Sequence, residues 1–302
     1  MTAASAGERQ LILRHLHRVE REEGMKVLYA CEAGSRAWAY SSSASDYDVR
    51  FIYVRPVAWY LSIADKKDVI ERTDSTECGE GAADPGEAPG GAGDPAAGSG
   101  LDLVGWDLRK ALSLLGKGNP ALFEWLGSPV VYANGQRVKE RLLALAPRVF
   151  SPKAAMYHYL NMAKRNFRAE LRGERIKPKA YFYVLRPMLA CGWIERYGTM
   201  PPQEIRRLTE PVLPLENRRL GGEIERLLAY KQASFGAERR PRMPGLDAYL
   251  AERIAYFEEL APTLGAIAAA VHPTESDDQL EGELDALFRA VLQDVWGLPL
   301  SD

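Results

Sequence analysis

The chain is poor in cysteine: its three, Cys31, Cys78 and Cys191, lie far apart and form no CxxC pair. That scarcity argues against a disulfide frame or a zinc knuckle and fits a reducing, cytoplasmic setting. Histidine is equally sparse. His15 and His17 share one predicted helix while His158 and His272 stand alone, so no paired spacing suggests a zinc centre. No stretch of eighteen apolar residues points to a membrane span, and the opening MTAASAGERQLILRHLHRVEREEG lacks a signal-peptide core. Neither GxxxxGKS nor GxGxxG occurs, which leaves P-loop and Rossmann cofactor chemistry without support. A strong charge of either sign is also missing. The formal net charge is −2, so any basic binding surface has to be local.

What remains is an ordinary globular composition, 46% hydrophobic and 26% charged, in a chain of 302 residues, long enough for two domains. Leu11, Ile12, Leu16 and Val19 predict an amphipathic first helix. MKVLYACEA reads as a strand ending at Gly34, and YDVRFIYV (47–54) as a second, with a further extended piece at Lys67–Arg72. Residues 77–100 then hold Gly, Ala, Pro and five acids with no basic or aromatic residue. Such a stretch buries too little apolar area to offset its ordering entropy and reads as a mobile surface insertion. LDLVGWDLRKALSLL is a strand of four or five residues running into a helix, Asn119-Pro120 opens another helix, and SPVVYA reads as an edge strand. From Ser151 the periodicity is helical almost throughout. The expected architecture is α+β: an α/β unit over 1–150, then an all-helical unit over 151–302.

Three carboxylates are the candidates for the chemistry. Asp46 and Asp48 lie two apart, which on a strand sends both to one side, where they repel unless a cation sits between them. Ahead of them Gly34-Ser35 ends a strand at a turn, where the glycine admits a phosphate and the amides and Ser35 hydroxyl donate to it, with Arg36 adding charge. Asp102, between Leu101 and Leu103, is costly to bury on a strand without a partner and is the candidate third acid. Asp107 is its rival, although an acid in a helix's first turn is stabilised by the backbone dipole.

Ala33-Gly34-Ser35, Asp46-Tyr47-Asp48-Val49 and Leu101-Asp102-Leu103 together resemble the nucleotidyltransferase superfamily named for DNA polymerase β. GSRAWAYSSSASDYDVRFIYV, WDLRKAL, GNPALFEWLGSPVVY and KPKAYFYVLRP look like a narrower bacterial group, the RNA repair pathway DNA polymerase β family. The resemblance spans roughly residues 25 to 235, and the long insertion before Asp102 departs from it. It implies a polymerase β-like catalytic domain followed by a helical nucleotide-binding domain. Asp46, Asp48 and Asp102 would hold Mg²⁺ or Mn²⁺, two ions, while Gly34, Ser35 and Arg36 hold the triphosphate of an NTP such as ATP. The implied reaction moves NMP to a hydroxyl and releases pyrophosphate, with an RNA 3′ end as the expected acceptor. A protein side chain, or a catalytically silent nucleotide-binding adaptor, are the alternatives.

In the helical half, Tyr157, Asn161, Lys164 and Arg168 fall on one face at helical spacing, as do Lys179, Tyr183 and Arg186. Pro187 is expected to kink or end its helix. The resemblance implies that Lys164, Lys179 and Arg186 meet phosphates and that Tyr183 meets base or sugar. Asn119 and Glu124 also match family phrases. Arg206-Arg207 and Arg239-Arg240 with Arg242 could track a nucleic-acid backbone but read better as surface charge.

Overall fold

The computed structural model describes residues 5–42, 45–74, 100–213, 218–232, 238–264 and 277–297. The expected mobile insertion at 77–100 therefore lies, but for Gly100, outside the described residues, as does Cys78.

Helix α1 (Ala6–Glu23) starts at a Ser5 capping box with Glu8 and ends on left-handed Gly24. Strand β1 (Lys26–Glu32) follows, then the short helix α2 (Gly34–Ala37), β2 (Tyr47–Val54), α3 (Val57–Tyr60), β3 (Val69–Asp74) and β4 (Leu101–Asp107). The five-stranded sheet has the order β3-β4-β2-β1-β5, with β5 (Val131–Asn134) at one edge as expected. The β2–β4 pair is parallel; the other three pairings are antiparallel.

Strand alternation sends Tyr47, Val49, Phe51 and Tyr53 to the face covered by Ile12, Leu16 and Val19 of α1. The opposite face carries Ile52 and Val54 beneath α4 (Leu108–Gly116), α5 (Pro120–Leu126) and α6 (Val138–Val149). On that same face, nearer the start of β2, Asp48 and Arg50 are only partly buried. The last helix among the described residues, Asp277–Trp296, returns to this unit and buries Val291 and Leu292 beside Leu112 and Leu115.

The helical part comprises α7 (Pro152–Glu170), α8 (Pro178–Tyr197), α9 (Ile205–Val212), α10 (Arg218–Gln232) and α11 (Pro244–Leu260), which share a second core. Pro187 does not end α8, which runs ten residues past it. A proline leaves the carbonyl four residues earlier without its helical donor. Here that carbonyl belongs to Tyr183, and Asn166 Nδ2 of α7 donates to it at 2.9 Å. A neighbouring helix thus repairs the break.

The sheet unit and helical part are joined through the segment after α2. Tyr40 stacks on Phe182 with centroids 4.1 Å apart, and the Arg186 guanidinium lies 4.5 Å over Trp38. Arg186, expected at a phosphate, is instead an interior residue at 1% exposure. It pairs with Glu124 at 2.8 Å and donates to Gln203 Oε1 at 3.0 Å. Removing one partner of a buried pair leaves the other charge uncompensated. Arg186→Ala is accordingly expected to lower unfolding free energy by about 3–5 kcal/mol in urea titrations; a surface phosphate ligand would leave it almost unchanged.

Candidate active site

The geometry begins at Gly34, whose φ of +55° suits glycine. A Cβ built there would lie 2.0 Å from Asp48 Oδ2, so a side chain at this position would displace the carboxylate from where it stands. The turn and strand are also tied by Ala33, whose amide donates to the Asp48 carbonyl at 2.8 Å. Ser35 is partly buried in the same turn.

Asp102 comes beside Asp48 through the sheet. In the parallel register Asp48 pairs with Asp102, so the two side chains share one face of neighbouring strands. Asp46 lies just ahead of β2, exposed, its Oδ1 accepting the Gly100 amide at 2.9 Å at the entrance to β4. Burial raises the Asp48 carboxyl above the usual aspartate range; Arg50 pulls it down, and Asp102 and Asp46 push it up. Arg50 sits at the pair itself, 3.0 Å from Asp102 and 3.7 Å from Asp48. Among the described residues, no three Asp, Glu, His or Cys side chains are grouped as ready ligands for a metal ion.

The rival Asp107 has a structural task. It caps α4 by accepting the Arg109 amide at 2.9 Å and takes the Tyr60 hydroxyl at 2.8 Å. It is fully buried and lies away from the Gly34 turn at the far end of β4.

A lysine and an aromatic side chain of the helical part lie close to the acids. Tyr183 of α8 is 36% exposed, and its hydroxyl is held above the usual tyrosine range by burial and then by Asp48, Glu170 and Asp46. Lys231 of α10 reaches Ser45 Oγ at 3.3 Å. Its ammonium is held below the usual lysine range by burial, then by Lys179, with Arg36 adding to this and Asp46 opposing it. Arg36 and Lys231 thus lie beside Asp46, with Lys179 close enough to Lys231 to act on its charge. Lys231 and Arg50 were not singled out from the sequence. The alternation Asp46, Asp48, Arg50 was a visible signal for the second, whereas Lys231 follows an unremarkable Tyr230.

Other expected contacts take different roles. Arg36 donates to the carbonyls of Asp46 at 3.2 Å and Ser45 at 2.7 Å, and lies 3.7 Å over the Tyr47 ring, so it clamps the serine-rich loop. Lys164 pairs with Glu258 and lines a groove of about 370 Å³ with Asn161, Arg165 and Arg168. On the same helix Asn166 faces α8, donating to the Tyr183 carbonyl. Asn119 caps α5 by accepting the amides of Ala121 and Leu122, and Glu124 serves Arg186 and Tyr159. Arg206 pairs with Glu225, Arg207 with Glu204, and Arg242 with Asp247, as surface charge should.

Behind Asp48 lies a carboxyl that the sequence did not mark. Glu32 on β1 is 1% exposed; its Oε1 accepts the Asp48 amide at 2.9 Å and its Oε2 the Tyr132 hydroxyl. Burial outweighs these hydrogen bonds and pushes it from 4.5 up to about 7. Between those values the folded chain holds a proton that the unfolded chain has lost. Stability is therefore favoured at low pH and falls as pH rises through this window. Glu32→Gln keeps an acceptor for the Asp48 amide and removes the charge. It is expected to flatten that decline, on the order of 3 kcal/mol, in urea unfolding at pH 5 and pH 8.

Comparison with known proteins agrees with the quoted phrases. Residues 9–78 and 93–289 match the model of the RNA repair pathway DNA polymerase beta family, and the unmatched 79–92 fall within the Gly/Ala/Pro stretch. The uncharacterized protein YcgL of Bacillus subtilis is 38% identical over 288 residues, covering 95% of this chain and 98% of that one. A nucleotidyltransferase-like protein from Exiguobacterium sibiricum overlays 93% of this chain and 91% of its own at 10% identity, with a TM-score of 0.31, too low to align sites. No helix among the described residues is long and apolar enough to cross a membrane. The chain belongs to the RNA repair pathway DNA polymerase beta family, and with it to the polymerase β type of nucleotidyltransferase.

Proposed function

We propose that this protein transfers a nucleoside monophosphate from an NTP to the 3′ hydroxyl of an RNA end and releases pyrophosphate. The observation that carries the reading is the pairing of Asp48 with Asp102 beside the Gly34 turn, with Lys231 held at Ser45 next to Asp46 and Tyr183 close enough for these acids to act on its hydroxyl. The RNA acceptor is supported by the family's description as part of an RNA repair pathway.

The carboxylates of Asp46, Asp48 and Asp102 are hard oxygen donors of the kind that Mg²⁺ or Mn²⁺ takes. The guanidinium of Arg50 between two of them marks the gap as one that favours positive charge. When bound, two such ions would neutralise charge on the transferring phosphate and acidify the attacking hydroxyl. The chain's own groups do the rest. Ser35 and the turn backbone donate to the phosphate tail, and Lys179 and Lys231 neutralise it from the helical side. Tyr183 offers an exposed ring for the sugar or base. Asp102 accepts the acceptor hydroxyl's proton as the new oxygen–phosphorus bond forms and the bond to pyrophosphate breaks.

Labelled NTPs, Mg²⁺ or Mn²⁺ and a mixture of RNA and protein test the reading, with label expected in RNA. Label in protein alone would reassign the acceptor, and tight NTP binding without pyrophosphate release would make the chain a silent binder. Asp48→Asn is expected to reduce transfer to background while leaving the urea unfolding midpoint unchanged or higher, since a partly buried charge that its surroundings disfavour is removed. Lys231→Ala is expected to raise KM for NTP roughly tenfold, the effect of losing one charge-assisted hydrogen bond, with smaller change in kcat.

A further inference from the structure

Arg50 follows Asp48 by two positions on β2 and therefore shares its face. One guanidinium nitrogen lies 3.0 Å from Asp102 Oδ2 and the other 3.7 Å from Asp48 Oδ1. The first also donates to the carbonyls of Val49 at 3.1 Å and Asp102 at 3.3 Å. The side chain is only 19% exposed, so this arrangement is built into the sheet surface rather than made by a free surface arginine. Two carboxylates paired on neighbouring strands repel each other at this range. A guanidinium stays charged at any relevant pH, and its planar fork can serve both acids together. It holds the place that a dication shared by the same oxygens would need.

We propose that Arg50 is the resident counter-cation of the acid pair and competes with the metal ion for it. The inference rests on the reading of Asp46, Asp48 and Asp102 as metal ligands. A bare dication gains these carboxylates only by releasing the guanidinium, so its net gain is small. A dication arriving with nucleotide brings phosphate oxygens as further ligands, and those phosphates also receive the released guanidinium. Ion and nucleotide therefore bind cooperatively, and by linkage each tightens the other by the same factor. Competition also keeps the acids in place before substrate arrives.

Mn²⁺ binding to the full chain, followed by the loss of the free-ion electron paramagnetic resonance signal, tests this without turnover. The comparison uses wild type, Arg50→Gln and Asp48→Asn, each with and without a non-hydrolysable NTP analogue. Without nucleotide, Arg50→Gln is expected to bind Mn²⁺ roughly tenfold or more tightly than wild type, the effect of removing one competing charge at close range. The analogue is expected to tighten Mn²⁺ binding by a larger factor in wild type than in Arg50→Gln. Asp48→Asn should lose the site in both conditions. Should Arg50→Gln fail to fold alone, Arg50→Lys replaces it, with a smaller tightening expected because an ammonium cannot bridge both acids as a fork. Binding that depends on Asp48 but is equal or weaker in the Arg50 variants overturns the competition and leaves the metal reading standing. No binding that depends on Asp48, with or without nucleotide, overturns both.

Discussion

Asp48 and Asp102 meet because β2 and β4 run parallel in a register that pairs them residue by residue. Side chains alternate along a strand, so a slip by one residue would turn Asp102 to the α1 face and dissolve the site. Gly105 pins that register: it pairs with Phe51, and a Cβ there would lie 2.2 Å from the Phe51 ring. Gly34 leaves room at the turn for the Asp48 carboxylate, which a side chain there would push aside. Two glycines thus permit the close approaches on which the carboxylate geometry depends, and each lies on a different element. The electrostatic consequence is a pair of acids with a guanidinium between them.

The helical half is held to the acids by side chains whose chemistry suggested ligand binding. Trp38 and Tyr40, just past the turn, reach across to Arg186 and Phe182 of α8. Arg186 and Glu124 are consumed in that joint. The joint leaves Tyr183 and Lys179 on the open side of α8. Pro187 contributes indirectly, since it frees the Tyr183 carbonyl that Asn166 then holds. A residue that looks like a helix breaker thereby fixes the backbone beneath the exposed aromatic ring.

Much of this was legible in the chain. The strands at 47–54 and before Gly34, the edge strand near Val131 and the helices after Ser151 all followed from local pattern. β4 extends to Asp107, two or three residues beyond the expected strand, because Asp107 serves as strand end and helix cap together. The Asp102 assignment could be weighed against Asp107 on helix-cap chemistry alone. Arg186 could not be read correctly: on a helix wheel it shares a face with Lys179 and Tyr183, yet Glu124 of α5 and Gln203, just ahead of α9, cover its part of that face. Lys231 was invisible for the converse reason, since its partner Ser45 lies 186 residues away in sequence.

The sequence by itself determined the elements, the spacing of the acids and the glycines that admit them, because alternation, capping and close backbone approach are local constraints written over a few residues. Only the tertiary structure decided which cations face those acids. Arg50 and Lys231 stand by the acids while Lys164 and Arg186 are tied elsewhere, since a long charged side chain takes its partner from whatever distant element packs beside it. Strand register and helix crossing set those neighbours, and neither is encoded in any one segment.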